Sequence, residues 1–265
     1  MTDLPLARAA TRRPILSTDA LARIAAGLVI LAVWQGAVML WAPAYVARPS
    51  GIVSVLPSVL SDLGFWRDTG VTVLAVLEGL VIAVVLGTVI GLAIGRSRIA
   101  ENSLELYVSA LFAMPMTAIL PLLTLWFGYS SAARLVTIVF ASIFAIIVNV
   151  SDGARAVPRE FIEVSRSFRS SNTRRLFEVV LPASMPYLIA GIRLAAGRAL
   201  IGAVVAEFFA AIPGVGYYIL LQTRTFHHDE AFVGVLLLAA AGVAVELLTN
   251  AATRRYLPWF RRDEA

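Results

Sequence analysis

Apolar positions along the chain gather into long, almost uncharged runs, and the lengths of those runs predict the architecture. A helix needs about 20 apolar residues to cross a bilayer core of about 30 Å. Six runs approach that length. Ile24–Ala42 carries no charge, has Gln35 as its one strongly polar side chain, and places Trp34 and Trp41 as interfacial anchors. Val71–Ile94 is interrupted by Glu78. Leu104–Phe127 has Glu105 near one end and Pro115 and Pro121 inside, which predicts a kinked or broken helix. Leu135–Val150 is apolar apart from Thr137, Ser142 and Asn149, and lengthens at its start only by taking in Arg134. Tyr187–Ile212 includes Arg193, Arg198 and Glu207, and Ala231–Leu248 includes Glu246. The pattern predicts an all-α integral membrane protein of six transmembrane helices, spanning 24–253 between an N-terminal segment, 1–23, and a tail, 254–265.

Arg12 and Arg13 ahead of the first run, and Ala42-Pro43-Ala44 behind it, also suit a cleavable signal peptide. The run exceeds the about 7–15 residues of such a segment, so an uncleaved first membrane helix is expected.

Within the second run Gly79, Ala83, Gly87, Gly91 and Gly95 recur every fourth residue, which puts them on one helix face. Small residues in that register let two helices approach closely in lipid, although they are also common in any membrane helix. Gly191, Ala195, Ala199 and Ala203 repeat the device in the fifth run.

The connection at about 152–185 is of another kind. Val157, Phe161, Val164 and Phe168 follow helical spacing, with Arg159, Glu160, Glu163 and Arg166 on the other faces. A turn, Ser170-Ser171-Asn172-Thr173, and a second apolar-rich segment that stops at Pro182 complete a helix-turn-helix outside the membrane. Such a hairpin can lie on lipid headgroups or dock on a soluble protein.

Composition sharpens this picture. Of 265 residues 59% are apolar and 15% charged, against ~25% charged in a soluble domain. All 22 basic residues are Arg, so the Gly-Lys-Ser/Thr of a P-loop cannot exist in this chain. The chain has no Cys, and its two His are adjacent, His227 and His228, so no catalytic residue and no metal site is expected. His227-His228-Asp229-Glu230 reads as an exposed polar loop, with a cation site as the alternative. With the N-terminus inside, sixteen Arg fall in the segments facing the cytoplasm, six of them in the 152–185 connection. Arg48, Arg67, Arg134 and Arg224 fall opposite, and Arg193 and Arg198 lie in the fifth run. By the positive-inside rule both termini are cytoplasmic, and the net charge of +5 calls for no nucleic acid.

Glu163-Val164-Ser165, with Leu181-Pro182 ending nineteen residues on from Glu163, resembles the EAA loop of ABC-importer permeases: Glu-Ala-Ala, three variable residues, Gly, then Ile-x-Leu-Pro. Leu122 to Gly128 (LLTLWFG), Ala206-Glu207-Phe208 before Gly214-Val215-Gly216-Tyr217, and Leu257-Pro258-Trp259 resemble the branch of that family for nitrate, sulfonate, taurine and related solutes. The resemblance covers roughly Pro49 to Trp259. It implies a type I ABC-importer permease-like fold whose cytoplasmic loop is a coupling helix seated in a cleft of the ATPase. Glu160, Glu163, Val164, Ser165, Arg166, Phe168, Arg169, Leu181 and Pro182 would be the coupling residues. It also implies cytosolic ATP-binding subunits that hold ATP and Mg, a second permease chain in a homodimer, an extracytoplasmic solute-binding protein, and a bacterial inner-membrane location. The sequence departs from the pattern at Val164, Ser165, Val179 and Arg169, the last standing where the family has Gly. Either Asn172 takes over that turn, which is the preferred reading, or Arg169 contacts a partner.

For the pathway, the resemblance and the cost of intramembrane charge together single out Glu78, Pro115, Pro121 and Glu207. Glu78 and Glu246 could instead pair with Arg193 or Arg198, and the prolines could be packed kinks. Arg193 reads as a boundary anchor, and both arginines could attract an anion. The competing class is an ATP-independent channel or secondary transporter that uses the intramembrane Glu residues as relays. A membrane enzyme lacks any nucleophile or metal constellation.

Overall fold

The computed structural model describes residues 18–43 and 45–256. The N-terminal residues before Thr18, the tail beyond Tyr256, and with them Leu257-Pro258-Trp259, lie outside the described residues. Among the described residues the fold is helical without strands: α1 (Thr18–Trp41), α2 (Pro49–Ser61), α3 (Leu63–Arg96), α4 (Arg98–Ala113), α5 (Met116–Phe127), α6 (Ser131–Arg155), α7 (Arg159–Ser167), α8 (Asn172–Arg175), a π-helical turn (Leu176–Val180), α9 (Leu181–Ala210), α10 (Val215–Arg224) and α11 (His228–Tyr256). Five helical segments are long and apolar enough to cross a membrane: α1, α3, α6, the continuous run Asn172–Ala210, and α11. The pair α4–α5, bent by 97° at Met114-Pro115, makes the sixth crossing if taken as one span. The bundle has two ends, one carrying α7 and α8, the other α2 and α10.

Helix α6 is the spine, with α3 on one side and α9 on the other. Both neighbours meet it through their small-residue faces. A Cβ added at Gly79 would fall on Ile138, at Gly87 on Ile146, and at Gly91 within 2.8 Å of the Ile147 carbonyl. At Gly95 the distance to the Ser151 carbonyl would be 2.5 Å, and Ala83 in the same row is wholly buried. From the other side, a Cβ at Gly191 would come within 3.3 Å of the Ile146 backbone and one at Gly202 within 3.3 Å of the Ile138 backbone. In lipid such contact supplies the dispersion that holds helices together, because no apolar contrast with the solvent exists. Hydroxyls along these helices bond back to their own backbone, Thr137 to Ala133 O, Ser142 to Ile138 O and Ser184 to Val180 O, which satisfies them without water.

Several elements differ from the expectation. Arg134 is not in a connection but one turn inside α6, behind the Ser130 N-cap. The chain does not stop at Pro182. Leu181 N–H bonds to Leu176 O, five residues back, and this wider turn opens the carbonyl ladder where a proline ring without an N–H would otherwise collide with it. The helix then runs on to Ala210. Val157 precedes α7 and is buried with Ile162, so it is not part of the outward stripe.

The turn after α7 is made by Arg169 itself, at φ +53, whereas Asn172 opens α8. Arg169 N–H bonds to Arg166 O at 2.8 Å and Ser170 N–H to Ser165 O at 3.1 Å, the two bonds of a Schellman cap with Arg in the position that glycine favours. The preferred assignment of this turn to Asn172 is thereby corrected. A left-handed Arg costs about 1 kcal/mol relative to Gly. Arg169→Gly is expected to raise the Tm of the solubilised protein by about 2–4 °C, while Asn172→Ala changes it little. Thermal unfolding of both variants checks the assignment.

Candidate functional site

The α7 end presents an apolar stripe that the described residues leave uncovered. Phe161 is 58% exposed, Val164 54% and Phe168 83%, all on one side of α7, while Ile162 turns inward. Phe161, Val164, Ser165 and Phe168 form one wall of a groove of about 660 Å³, with Val179 and Ala183 opposite. Glu160, Glu163, Arg166 and Arg169 are exposed and make no ion pair among the described residues. Glu163 and Arg166 therefore do not hold each other, although three residues apart. Leu181 is half-buried and Pro182 exposed, just past the groove wall.

This surface is rooted in the bundle. Val157, Ile162 and Val180 belong to the same buried cluster as Ala83, Leu92, Ile146, Val150 and Ala195, so a push on α7 bears directly on α3, α6 and α9. Beside it Arg155 at the end of α6 bonds Glu101 at 2.7 Å, Glu105 at 3.2 Å and Asp152 at 2.7 Å, tying α4 to α6. Glu105, read as a charge at the edge of the third run, is thus a partner of Arg155.

Near the α10 end, Glu207 is 0% exposed and closed in on all sides. Its Oε1 accepts from Thr72 Oγ1 of α3 at 2.8 Å and from Arg134 Nη1 of α6 at 3.2 Å. Its Oε2 accepts from Gly216 N at 2.8 Å, at the N-terminus of α10, where a carboxylate also meets the positive end of the helix dipole. Arg134 Nη1 further donates to Pro213 O at 2.9 Å, and Thr72 Oγ1 accepts from Val215 N at 2.9 Å. The Gly214 φ is +159, and a Cβ there would lie 2.3 Å from the carboxyl carbon, so Gly lets this loop wrap the carboxylate. Four elements meet on one buried acid. Sequence reasoning named Glu207 and Gly214 to Gly216 but missed Thr72 and Arg134; the available signal was Arg134, the lone charge at the mouth of the neutral fourth run.

The other singled-out residues are dispersed. Glu78 is exposed on α3, about 100° around the helix from the buried seam, and pairs with neither Arg193 nor Arg198. Arg193 bonds the Asn250 side chain of α11, near the α7 end. Pro115 forms the N-cap of α5 at the bend, and Pro121 lies inside α5 with its carbonyl taken by Thr124 Oγ1 at 2.9 Å. His228 Nδ1 contacts Tyr45 O at 2.6 Å and Asp229 accepts from Arg48 N at 3.1 Å, so these polar groups join α11 to the entry of α2. Among the described residues no group of three or more His, Asp or Glu could hold a metal.

Residues 79–262 match the family model described as "Binding-protein-dependent transport system inner membrane component". A Bacillus subtilis protein named for aliphatic sulfonates transport is 28% identical over 87% of this chain and 84% of its own length. An ABC transporter permease protein of Haemophilus influenzae is 30% identical over 86% of this chain and 94% of its own. Among solved structures, an amino acid ABC transporter crystallised with histidines covers 78% of this chain and 97% of its own at a TM-score of 0.60 and 15% identity, a likeness of fold. Permeases of this family work with an ATPase and a solute-binding protein and are not enzymes themselves. The chain belongs to the family of binding-protein-dependent transport system inner membrane components and is a multi-pass permease subunit of an ATP-driven importer.

Proposed function

We propose that the chain forms half of a translocation pathway for a small solute, a sulfonate, taurine, nitrate or a related organic anion or heterocycle, with a second copy supplying the other half. The observation that carries the coupling part of this reading is the stripe of Phe161, Val164 and Phe168, exposed outward and rooted inward through Ile162 and Val180. In this reading α7 sits in a cleft of the ATP-binding subunit. Its aromatic side chains fill the cleft, and Glu160, Glu163, Arg166 and Arg169 pair with charges of the partner. ATP and Mg belong to that partner, which closes on ATP and moves α7, α3, α6 and α9 as one body. The α7 end faces the cytosol of a bacterium, with both termini, and a solute-binding protein docks at the α2 and α10 end. The bend at Pro115, with Pro121 beyond it, borders the pathway. For Glu207 we propose an anchoring role in place of a pathway role, because all its neighbours are donors already bonded to it. The same engagement disfavours a proton-relay transporter, since both Glu207 oxygens are held by donors and Glu78 has no ion partner among the described residues.

The chain has no Cys, so single-Cys variants report on this arrangement directly. In intact spheroplasts, Cys at Tyr45 is expected to react with a membrane-impermeant maleimide and Cys at Arg159 only after lysis. Cys at Phe161 is expected to crosslink to the ATP-binding subunit. Labelling with the two sites reversed would overturn the orientation, and absence of the crosslink would overturn the coupling role of α7.

A further inference from the structure

Among the described residues Arg198 is a cation deep in a membrane-spanning helix with no acid to balance it. It lies on α9 twelve residues before Ala210, about 18 Å from that end of the helix, well inside the apolar span. Its Nη1 donates to Phe112 O at 3.1 Å, and its guanidinium carbon stands 3.9 Å from the centre of the Phe112 ring. It makes no other hydrogen bond and has no carboxylate within 4.0 Å among the described residues. The contrast with its counterparts is sharp. Arg134 is neutralised by Glu207, and Arg193 reaches Asn250 at the α7 end. A guanidinium carries five N–H donors and cannot lose its charge, so an unbalanced one inside a bilayer is expensive to keep.

What stands beside it is an open cavity of about 250 Å³, walled by Met114, Met116, Phe140, Phe144 and Ile201 with Arg198 as its one charged side chain. Phe140 and Phe144 meet edge to face at 5.2 Å, fixing one wall. Met114 and Met116 flank the bend between α4 and α5, and methionine adapts to guests of varied shape. The bend itself says where the cavity faces. At the end of α4 Leu111 O accepts from Met114 N at 3.3 Å, and Arg198 takes the Phe112 carbonyl beside it at 3.1 Å. Broken backbone at membrane depth is tolerated only where protein covers it or water reaches it. The exposed side of this break therefore cannot be a lipid face.

We propose that this cavity is a solute subsite for a small monoanion with an apolar body, its anionic group paired with Arg198 and its apolar part against Phe140, Phe144 and the two methionines. The inference rests on the permease reading and deepens it: the pathway selects for negative charge at its midpoint, after the binding protein has released the solute. The site is half-satisfied by design of its contacts. The Phe112 carbonyl and ring hold the guanidinium in place, while most of its N–H groups stay available to a passing anion. A volume below the usual range of drug-sized pockets fits a transit site for a small molecule.

The test uses the full permease with its ATP-binding subunits in lipid nanodiscs, and benzenesulfonate as the probe, titrated calorimetrically. Benzenesulfonamide, nearly the same shape without the charge, is the comparison. Wild type is expected to bind the sulfonate with a Kd of about 1 mM or tighter, and the sulfonamide about tenfold more weakly or worse. Arg198→Gln is expected to lose about tenfold or more for the sulfonate, and Arg198→Lys to keep part of the preference for the anion. Arg193→Gln, outside the cavity, should bind as wild type. Equal affinity for the two probes, undiminished binding by Arg198→Gln, or no binding to wild type would each overturn the subsite. If Arg198→Gln fails to fold, the wild-type comparison of the two probes still decides. Failure of the wild-type chain to assemble with its ATP-binding subunits would instead sink the permease arrangement, and the difference between the probes would still judge the cavity.

Discussion

Glu207→Gln is expected to destabilise the protein by about 3–5 kcal/mol, the cost of removing one partner of a buried ion pair. The amide replaces one acceptor with a donor in a pocket whose neighbours, Arg134 Nη1, Thr72 Oγ1 and Gly216 N, all donate. The single amide oxygen can serve either Thr72 and Arg134 or Gly216 N, so the NH2 faces a donor in either orientation. Arg134 also loses the charge that balances it, and its Nε is already buried without a partner among the described residues. For a chain of this size the loss corresponds to a fall in Tm on the order of 10 °C. Arg134→Met should cost a similar amount. The double variant should be less damaged than the sum of the two by about 1 kcal/mol or more, because the second change removes the charge that the first left stranded. Thermal unfolding of all four proteins closes this cycle. Strict additivity, or a Glu207→Gln protein as stable as wild type with uptake abolished, would instead mark Glu207 as a group that acts on the solute.

The second large effect belongs to the seam between α3 and α6. Gly91→Leu is expected to abolish folded protein, and Gly91→Ala to cost about 1–3 kcal/mol. The reason is where the new atoms would go. A Cβ at Gly91 meets the Ile147 carbonyl at 2.8 Å and Val150 Cβ at 2.9 Å, and the carbonyl, being backbone, cannot rotate away. The helices must part along their length, and the same register at Gly87 and Gly95 loses contact with them. Gly27 in α1 has open space around the site of a Cβ, so Gly27→Ala is expected to be neutral or slightly stabilising through helix propensity. Detergent-resistant monodisperse yield and Tm separate these outcomes; a tolerated Gly91→Leu would mean that α3 and α6 are not in close contact.

Both effects bear on how much could be seen in the sequence. The seam was legible because close packing in lipid leaves a one-dimensional trace, a small residue every fourth position of α3. The exposed stripe of α7 was legible for the same reason, since its amphipathic period links near neighbours in sequence, except for Val157, which precedes the helix and is buried. The pairing of Glu207 with Arg134 was not legible, because 73 residues separate them and only the antiparallel course of α6 and α9 brings them together. Helix α2, with Pro57 inside it, and α10, after a glycine-rich loop, were missed because short helices at a membrane edge have neither the length nor the period that reveals a span. The turn at Arg169 was misassigned because residue preference favoured Asn172. Here the two Schellman bonds, a property of the end of α7, outweigh the preference of about 1 kcal/mol. The run through Pro182 has a similar cause, a π turn that no residue preference announces.

The central claim is that this chain moves solute only when an ATPase works through α7. Its most direct test is uptake into proteoliposomes that contain the permease, its ATP-binding subunits and its solute-binding protein, with ATP enclosed. The account predicts uptake that requires both ATP and the ATP-binding subunits. Phe168→Asp, on the outward side of α7, should lower it by about tenfold or more with an unchanged Tm, since a buried charge at a docking surface costs at least the about 1.4 kcal/mol of a tenfold effect. Uptake by the permease alone without ATP, or full uptake by Phe168→Asp, would contradict it.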